Sequence, residues 1–132
     1  MSDAEIKNRD RFRQVYSFTG MKYKSGSPTD IEVFLEFDGE IFIFADLKLK
    51  GTSLSTGQKR AYESLIDRLG KKAVFIIAEH ETYDPEEDII VANARVITYR
   101  YLGKWNNPEK PIMLKEAIDK FLTLLGKEEY IG

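Results

Sequence analysis

Two hydrophobic runs in the first third of the chain are separated by a turn and predict a β-hairpin. Every second residue from Ile31 to Phe37 is apolar, which is the period of a half-buried strand. Asp38-Gly39 is a favoured two-residue hairpin turn. The next run, Glu40 to Asp46, is almost wholly apolar up to its final acid, as in a strand buried on both faces. The pattern therefore predicts that this second strand lies inside a sheet.

The remaining hydrophobic positions predict three helices. A capping-box pattern at residues 2–5 predicts a first helix from about Asp3 to Tyr16. Helical spacing predicts a second helix from about Thr56 to Leu69, stopped by Gly70. A third apolar stripe, Leu114 to Leu125, predicts a final helix that ends near Gly126 and serves as core or as a dimer contact.

Two further apolar runs predict strands. Ala73 to Ala78 is short and continuous, as in a buried strand, and Val96 to Tyr101 is typical of a strand at or near a sheet edge. The acidic segment Glu79 to Asp88 predicts a loop, and Trp105 to Pro111 predicts a connection. A strand, a helix and a strand follow one another from Glu40 to Ala78, which indicates a parallel crossover. Together the elements predict one α/β domain, residues 1–132, with a mixed sheet.

Composition places the chain among soluble globular proteins. Its 132 residues suit one domain, and 42% are hydrophobic while 32% are charged. The absence of cysteine excludes disulfides and thiolate metal sites and fits a reducing compartment. No run reaches the roughly 18 apolar residues of a membrane helix, and the polar start lacks the apolar core of a signal peptide. We therefore predict a cytoplasmic protein with no membrane partner.

The net charge is −2, but the charged residues are unevenly distributed along the chain. Basic residues concentrate in two segments, Lys7 to Lys24 and Lys48 to Lys72, which bracket the predicted hairpin. Glu79 to Asp88 holds six acids and no lysine or arginine. Each run alone is consistent with an ordinary solvated surface. Two basic segments on either side of the hairpin favour a surface that faces a polyanion.

Charged residues at the ends of the hairpin strands form the sharpest candidate site. Asp46 and Lys48 are two apart and so share a face of their strand, and Asp30 precedes the partner strand. Two nearby carboxylates repel one another unless a hard cation such as Mg²⁺ or Mn²⁺ lies between them. Such a centre suits metal-assisted phosphodiester hydrolysis. A surface salt pair is the alternative, but buried strands seldom end in charges without a function.

The order of these motifs resembles the PD-(D/E)XK nuclease superfamily. The matching segments are Pro28-Thr29-Asp30, Asp46-Leu47-Lys48 and Gly57-Gln58-Lys59-Arg60, and the resemblance covers about residues 2–80. The chain is most similar to small Holliday-junction-resolvase-like and VRR-NUC-like members, many of them carried by phages or mobile elements. The resemblance implies a restriction-endonuclease-like fold with a mixed central sheet flanked by helices. It also implies an endonuclease that cuts DNA and requires Mg²⁺ or Mn²⁺.

The resemblance assigns roles to the hairpin residues. Asp30 and Asp46 would be metal ligands, the backbone carbonyl of Leu47 would complete the shell, and Lys48 would position or activate the attacking water. Thr29 inside the first motif and aspartate at position 46, where glutamate is commoner, depart from the usual pattern. The shorter Asp46 changes the ligand reach by one methylene.

Two helices would contribute to the same centre. Gln58, in the first turn of the second helix, would match a glutamine that supports the centre in these subfamilies. Glu5 would supply the acid that many members take from the first helix, with Asp10 as the second candidate. Glu5 is equally explained as a capping-box residue, and Gln58 as a solvent-facing helix residue.

Other residues carry weaker functional hypotheses. His80 is the only histidine, which excludes a two-histidine zinc site and favours a hydrogen-bonded or solvent-facing role. Tyr99, Tyr101 and Trp105 are candidates for stacking on bases, although strand packing is the commoner role.

Three functions remain open from the sequence. The chain is a DNA endonuclease, a catalytically inactive nuclease-fold protein that binds nucleic acid or a protein partner, or an interaction domain that binds neither metal nor DNA. A homodimer would supply the two active sites needed to cut both strands together.

Overall fold

The structure is a computed structural model that describes Ser17, Gly20 and residues 33–132. The predicted first helix, with Glu5 and Asp10, and the predicted ligand Asp30 lie outside the described residues. The described part contains five strands, β1 Val33–Phe37, β2 Ile41–Leu49, β3 Ala73–His80, β4 Arg95–Tyr101 and β5 Lys104–Asn106, and two α-helices, α1 Thr56–Leu69 and α2 Leu114–Leu124. Short 3₁₀ turns occur at Gly70–Lys72, Val91–Asn93 and Glu128–Tyr130.

The five strands form one mixed sheet in the order β1-β2-β3-β4-β5. β2 and β3 are parallel, and the other neighbouring pairs are antiparallel. α1 lies between β2 and β3 in the chain and supplies the crossover that a parallel pair requires. The predicted α/β class, mixed sheet and parallel crossover are confirmed.

The predicted hairpin is present between β1 and β2. Asp38 and Gly39 both have positive φ angles, 52° and 72°, as in a type I′ turn, and the Glu40 N–H donates to the Phe37 carbonyl at 2.9 Å. β2 is internal to the sheet, as predicted, and five of its first six residues are buried. The burial of every second residue that was predicted for β1 is only partly observed. Val33 and Phe37 pack against the core, whereas Leu35 is 36% exposed.

Alternate residues of β2 and β3 divide the core into two layers. Ile43 and Ala45 pack with Val74, Ile76 and α2 on one face of the sheet. Phe44 and Phe75 pack with α1 on the other face. Since Asp46 is two residues beyond Phe44, it belongs to the face covered by α1. We call this the α1 face.

Local signals place α1 where the sequence predicts it. Ser55 caps its N-terminus, and Gly70 ends it with a φ of 68°. Tyr62 and Ile66 are buried, and the Tyr62 ring stacks on Phe75 with ring centroids 4.0 Å apart. These contacts fix the helix over the strands that lead to Asp46.

The final helix serves the core. Leu114, Ile118, Phe121 and Leu122 of α2 are buried within the layer opposite α1. The predicted packing role of the Leu114 to Leu125 stripe is confirmed, and the predicted dimer contact stays a prediction.

Two predicted loop segments contain strand residues. β3 continues through Glu79 and His80, because both pair with the end of β2 in register, Lys48 with Glu79 and Leu49 with His80. The predicted connection from Trp105 begins instead inside β5, which is joined to β4 by a tight hairpin in which Leu102 and Gly103 have φ angles of 50° and 74°. Leucine is an uncommon residue at positive φ, so the turn carried little sequence signal.

A β-bulge interrupts the pairing of β3 with β4. Ile77 pairs with Thr98 while Ala78 pairs with Val96, so Ile97 is an extra residue in β4. The extra residue changes the face on which the first two residues of β4 lie. Val96 therefore joins Tyr99 in the α2 layer, and Arg95 lies on the α1 face opposite Glu79.

The C-terminal segment is tied to the hairpin turn by Tyr130, and this contact predicts a stability change at high pH. The Tyr130 hydroxyl donates to Asp38 Oδ2 at 3.0 Å, and that hydrogen bond, with burial and nearby acids, raises the pKa of Tyr130 from 10.0 to about 12. Because the folded state favours the neutral phenol, its stabilising contribution is complete below pH about 10 and is lost as pH rises through 12.

Denaturant unfolding of the wild type and Tyr130→Phe between pH 8 and pH 12 measures this contribution. The difference in unfolding free energy between the two proteins is expected to shrink above pH 10. A difference that stays constant over this range contradicts the assigned contact.

Candidate functional site

The ion pair at the end of β2 is the centre of the candidate site. Lys48 Nζ lies 3.2 Å from Asp46 Oδ2, as two residues on one face of a strand allow. Asp46 is 1% exposed and is the one buried charged residue in the described part of the chain, whereas the Lys48 side chain is 21% exposed. The carboxylate therefore lies inside the protein, and the ammonium lies between it and solvent.

The buried carboxylate is incompletely satisfied. Among the described residues, Asp46 Oδ2 has no hydrogen-bond partner, and its approach to Lys48 is close enough for an ion pair but is not aligned as a hydrogen bond. The ion pair with Lys48 offsets part of the desolvation cost of this buried carboxylate oxygen, and no hydrogen bond from a described residue adds to it. Such groups persist in native proteins at functional sites or where an ion or water completes the shell.

Glu79 and Arg95 lie beside the Asp46–Lys48 pair on the next two strands, β3 and β4. Lys48 pairs with Glu79 in the parallel register, and Glu79 pairs with Arg95 across β3 and β4. Arg95 Nη2 makes an ion pair with Glu79 Oε1. Neither residue was predicted from the sequence, although Glu79 directly follows an apolar strand just as Asp46 ends one. That similarity is the signal that could have identified Glu79.

The predicted helix residue Gln58 has a structural role at the start of α1. Its backbone N–H donates to Ser55 Oγ at 3.2 Å, and its side-chain oxygen accepts from the Ser55 N–H at 3.4 Å, which completes a capping box. These bonds occupy the Gln58 side-chain oxygen. Its predicted support of the centre remains a hypothesis, since its recorded hydrogen bonds are with Ser55 and not with Asp46 or Lys48.

The residues of the predicted metal shell are only partly within the described chain. Leu47 pairs with Ala78 inside the sheet. No cluster of three or more His, Asp or Glu side chains that could hold a metal ion occurs within residues 33–132. Asp46, with its unbonded and buried Oδ2, nevertheless has the chemistry of a single carboxylate ligand.

A cleft of about 590 Å³ opens at the carboxyl ends of β2 and β3, and neither Asp46 nor Lys48 lines it. Lys50, Glu79, His80 and Arg95 line it, together with acids of the segment that follows β3. Lys50 Nζ contacts Glu81 at 2.8 Å, and this contact raises the pKa of Lys50 and lowers that of Glu81. Open α/β sheets commonly bind ligands at the carboxyl ends of their strands.

His80 and the predicted stacking aromatics have packing roles. His80 Nδ1 accepts from the Thr82 N–H at 3.2 Å, which agrees with the hydrogen-bonded role. Tyr99 and Tyr101 pack against the α2 layer, and Trp105 packs beside Phe75 while its Nε1 donates to Glu63 Oε2 at 2.6 Å. These contacts favour strand packing over base stacking.

The acidic side chains of α1 face the sheet, whereas two of its arginines face solvent. Arg100 makes ion pairs with Glu63 at 3.4 Å and with Asp67 at 2.7 Å, so both acids of the helix are neutralised on the sheet side, and this contact lowers the pKa of Asp67. Arg60 and Arg68 are exposed and make no ion pair with another described residue. Lys71 and Lys72 extend this exposed basic surface beyond the helix.

Comparisons with family models, with curated proteins and with the solved structures yield no match. Within the described chain, none of the helices has the length and apolar character needed to cross a membrane.

Proposed function

We propose that the protein is a divalent-metal-dependent endonuclease that hydrolyses DNA phosphodiester bonds, with Asp46 and Lys48 at its centre. The observation that carries this proposal is the buried Asp46 carboxylate, whose Oδ2 lies 3.2 Å from the Lys48 ammonium and accepts no hydrogen bond from a described residue. Such a pair is costly as a purely structural feature and suits a metal and phosphate centre.

Each residue of the proposed site would have its own role in hydrolysis. Asp46 would hold Mg²⁺ or Mn²⁺ together with the Leu47 carbonyl, and Asp30 is the proposed second carboxylate. A bound divalent ion supplies charge that polarises the phosphate and acidifies a water. Lys48, the more exposed partner of the pair, can turn its ammonium toward that water or toward the developing negative charge. Glu5 and Gln58 remain proposed supporting residues.

The distribution of positive charge supports DNA as the substrate. The acids of α1 are paired with Arg100, which leaves Arg60 and Arg68 directed at solvent on the helix that covers the face of Asp46. Exposed cations of this kind bind phosphates in a salt-dependent manner and without sequence preference. A homodimer is the proposed assembly for cutting both strands.

A cleavage assay tests the proposal directly. Linear, nicked, flapped and four-way DNA are incubated with the protein and Mg²⁺ or Mn²⁺, with an EDTA control. We expect metal-dependent cleavage of at least one substrate. Salt-dependent DNA binding without nicking in either metal would instead support the catalytically inactive alternative.

A further inference from the structure

We propose that Arg95 binds a backbone phosphate of DNA beside the Asp46–Lys48 pair, and that Glu79 holds its guanidinium in position. The inference rests on the proposed function for the identity of the ligand. It adds a phosphate-binding residue to the site and assigns a positioning role to Glu79.

Strand register places Arg95 in line with the candidate centre. Lys48 is opposite Glu79 on β3, and Glu79 is opposite Arg95 on β4. Directly paired residues of neighbouring strands project from the same face, and neighbouring strands are about 4.8 Å apart. Arg95 therefore lies on the α1 face two strands from Lys48, about 10 Å away between backbones.

The β-bulge at Ile97 is what brings Arg95 to this face. Arg100 and Thr98 also lie on the α1 face, paired with Phe75 and Ile77. Regular alternation from Thr98 would place Arg95 on the α2 face, because the two positions differ by an odd number. The bulge reverses that orientation, as bulges beside functional sites often do.

The contacts of Arg95 leave its guanidinium anchored on one side and open on the other. Nη2 is held by Glu79, while Nε and Nη1 make no recorded hydrogen bond with a described residue. The Arg95 side chain is 54% exposed, whereas that of Glu79 is 16% exposed. Nη1–H and the second Nη2–H share the outer edge of the guanidinium, and two parallel donors of this kind have the geometry that binds phosphate oxygens.

Neighbouring charges indicate where the phosphate would lie. Lys50 is already paired with Glu81, and Glu87 and Asp88 line the adjacent cleft. These acids disfavour an anion inside the cleft. The phosphate is therefore expected at the solvent-exposed edge of the Arg95 guanidinium, on the side away from Glu79, rather than inside the cleft.

DNA binding measured without metal tests the role of Arg95 separately from cleavage. Fluorescence anisotropy of a labelled duplex is recorded in EDTA at several NaCl concentrations for the wild type, Arg95→Gln, Arg95→Lys and Lys115→Gln. Lys115 is the matched control, because its side chain is 52% exposed and paired with Asp119 on α2, and its loss changes the net charge equally. Thermal unfolding verifies that each variant is folded.

We expect Arg95→Gln to weaken binding about tenfold and to lower the slope of log K against log[NaCl] by about one, as the loss of one phosphate contact predicts. Arg95→Lys should restore the slope but not the full affinity, because lysine lacks the two-donor fork. Equal affinity and slope for Arg95→Gln and Lys115→Gln would overturn the inference.

Glu79→Gln separates positioning from simple electrostatics. Removing an acid near a phosphate site should strengthen DNA binding if Glu79 only repels the ligand. If Glu79 positions Arg95, the variant should bind DNA more weakly than the wild type, and tighter binding would contradict the positioning role.

The outcomes for Arg95 and for the proposed function can be distinguished. DNA binding that depends on Arg95, without cleavage in Mg²⁺ or Mn²⁺, overturns the endonuclease assignment and supports the phosphate site. Cleavage and binding that are both indifferent to Arg95 overturn the phosphate site alone.

Discussion

Replacing Lys48 by alanine is expected to slow metal-dependent DNA cleavage by about 10²- to 10⁴-fold, the range for loss of a group that assists proton transfer or stabilises developing charge. Lys48 is the cation that contacts the buried carboxylate, and in the proposed site its ammonium assists the attacking water or the developing negative charge. Its loss leaves the Asp46 carboxylate buried without its cation, so the variant should also be less stable, and thermal unfolding must verify that it is folded under the assay conditions. Single-turnover cleavage with enzyme in excess measures the change.

Lys50→Ala is the matched control for this variant. It removes one cation two residues along the chain, where the ammonium is exposed and paired with Glu81. Cleavage by this control should stay within a few-fold of the wild type. Cleavage by Lys48→Ala at the wild-type rate would contradict the assignment of Lys48.

Asp46→Asn is expected to abolish stabilisation by metal without destabilising the fold. Asparagine is nearly isosteric with aspartate, and it removes a negative charge from a residue that is 1% exposed and has an unbonded oxygen. In EDTA the variant should therefore unfold with a free energy equal to or above that of the wild type, as for other groups that sacrifice stability to function.

Added Mn²⁺ should affect the stability of the wild type and of Asp46→Asn differently. At a Mn²⁺ concentration of about 100 times its dissociation constant, binding should stabilise the wild type by about 2.7 kcal/mol and the variant hardly at all. Thermal unfolding with and without Mn²⁺ measures both effects. If Asp46 were only a structural ion-pair partner, Mn²⁺ would change the melting temperature of neither protein.

The elements predicted best from the sequence are those with strong local signals. The bounds of α1 were predicted correctly because its apolar residues, including Tyr62 and Ile66, recur at helical spacing and Gly70 marks its end. β2 was predicted as an internal strand because of its continuous apolar run, and the pairing of Asp46 with Lys48 followed from the two-residue period of a strand.

The features that the sequence did not predict depend on contacts between distant residues. β3 continues through Glu79 because that acid has Arg95 as a partner 16 positions later, which no local pattern reveals. The bulge at Ile97 exists only as a mismatch between two strands. The capping box of Ser55 and Gln58 was not predicted, although serine followed three residues later by glutamine is its usual pattern.

The arrangement of the sheet explains why the candidate chemistry is concentrated at one edge. β2 and β3 are parallel, so both carboxyl ends reach the same edge and bring Asp46, Lys48 and Glu79 together. The antiparallel β4 contributes Arg95 from its opposite, amino-terminal end. We propose that this edge is a divalent-metal centre built around Asp46.

Calorimetric titration of the wild-type protein with Mn²⁺ tests that claim most directly, with Asp46→Asn as the control. We expect a saturable heat of binding for the wild type and an affinity lower by at least about 100-fold in the variant, since loss of an outer-shell partner alone costs about 10- to 100-fold. A flat wild-type titration, or equal binding by the two proteins, would contradict it.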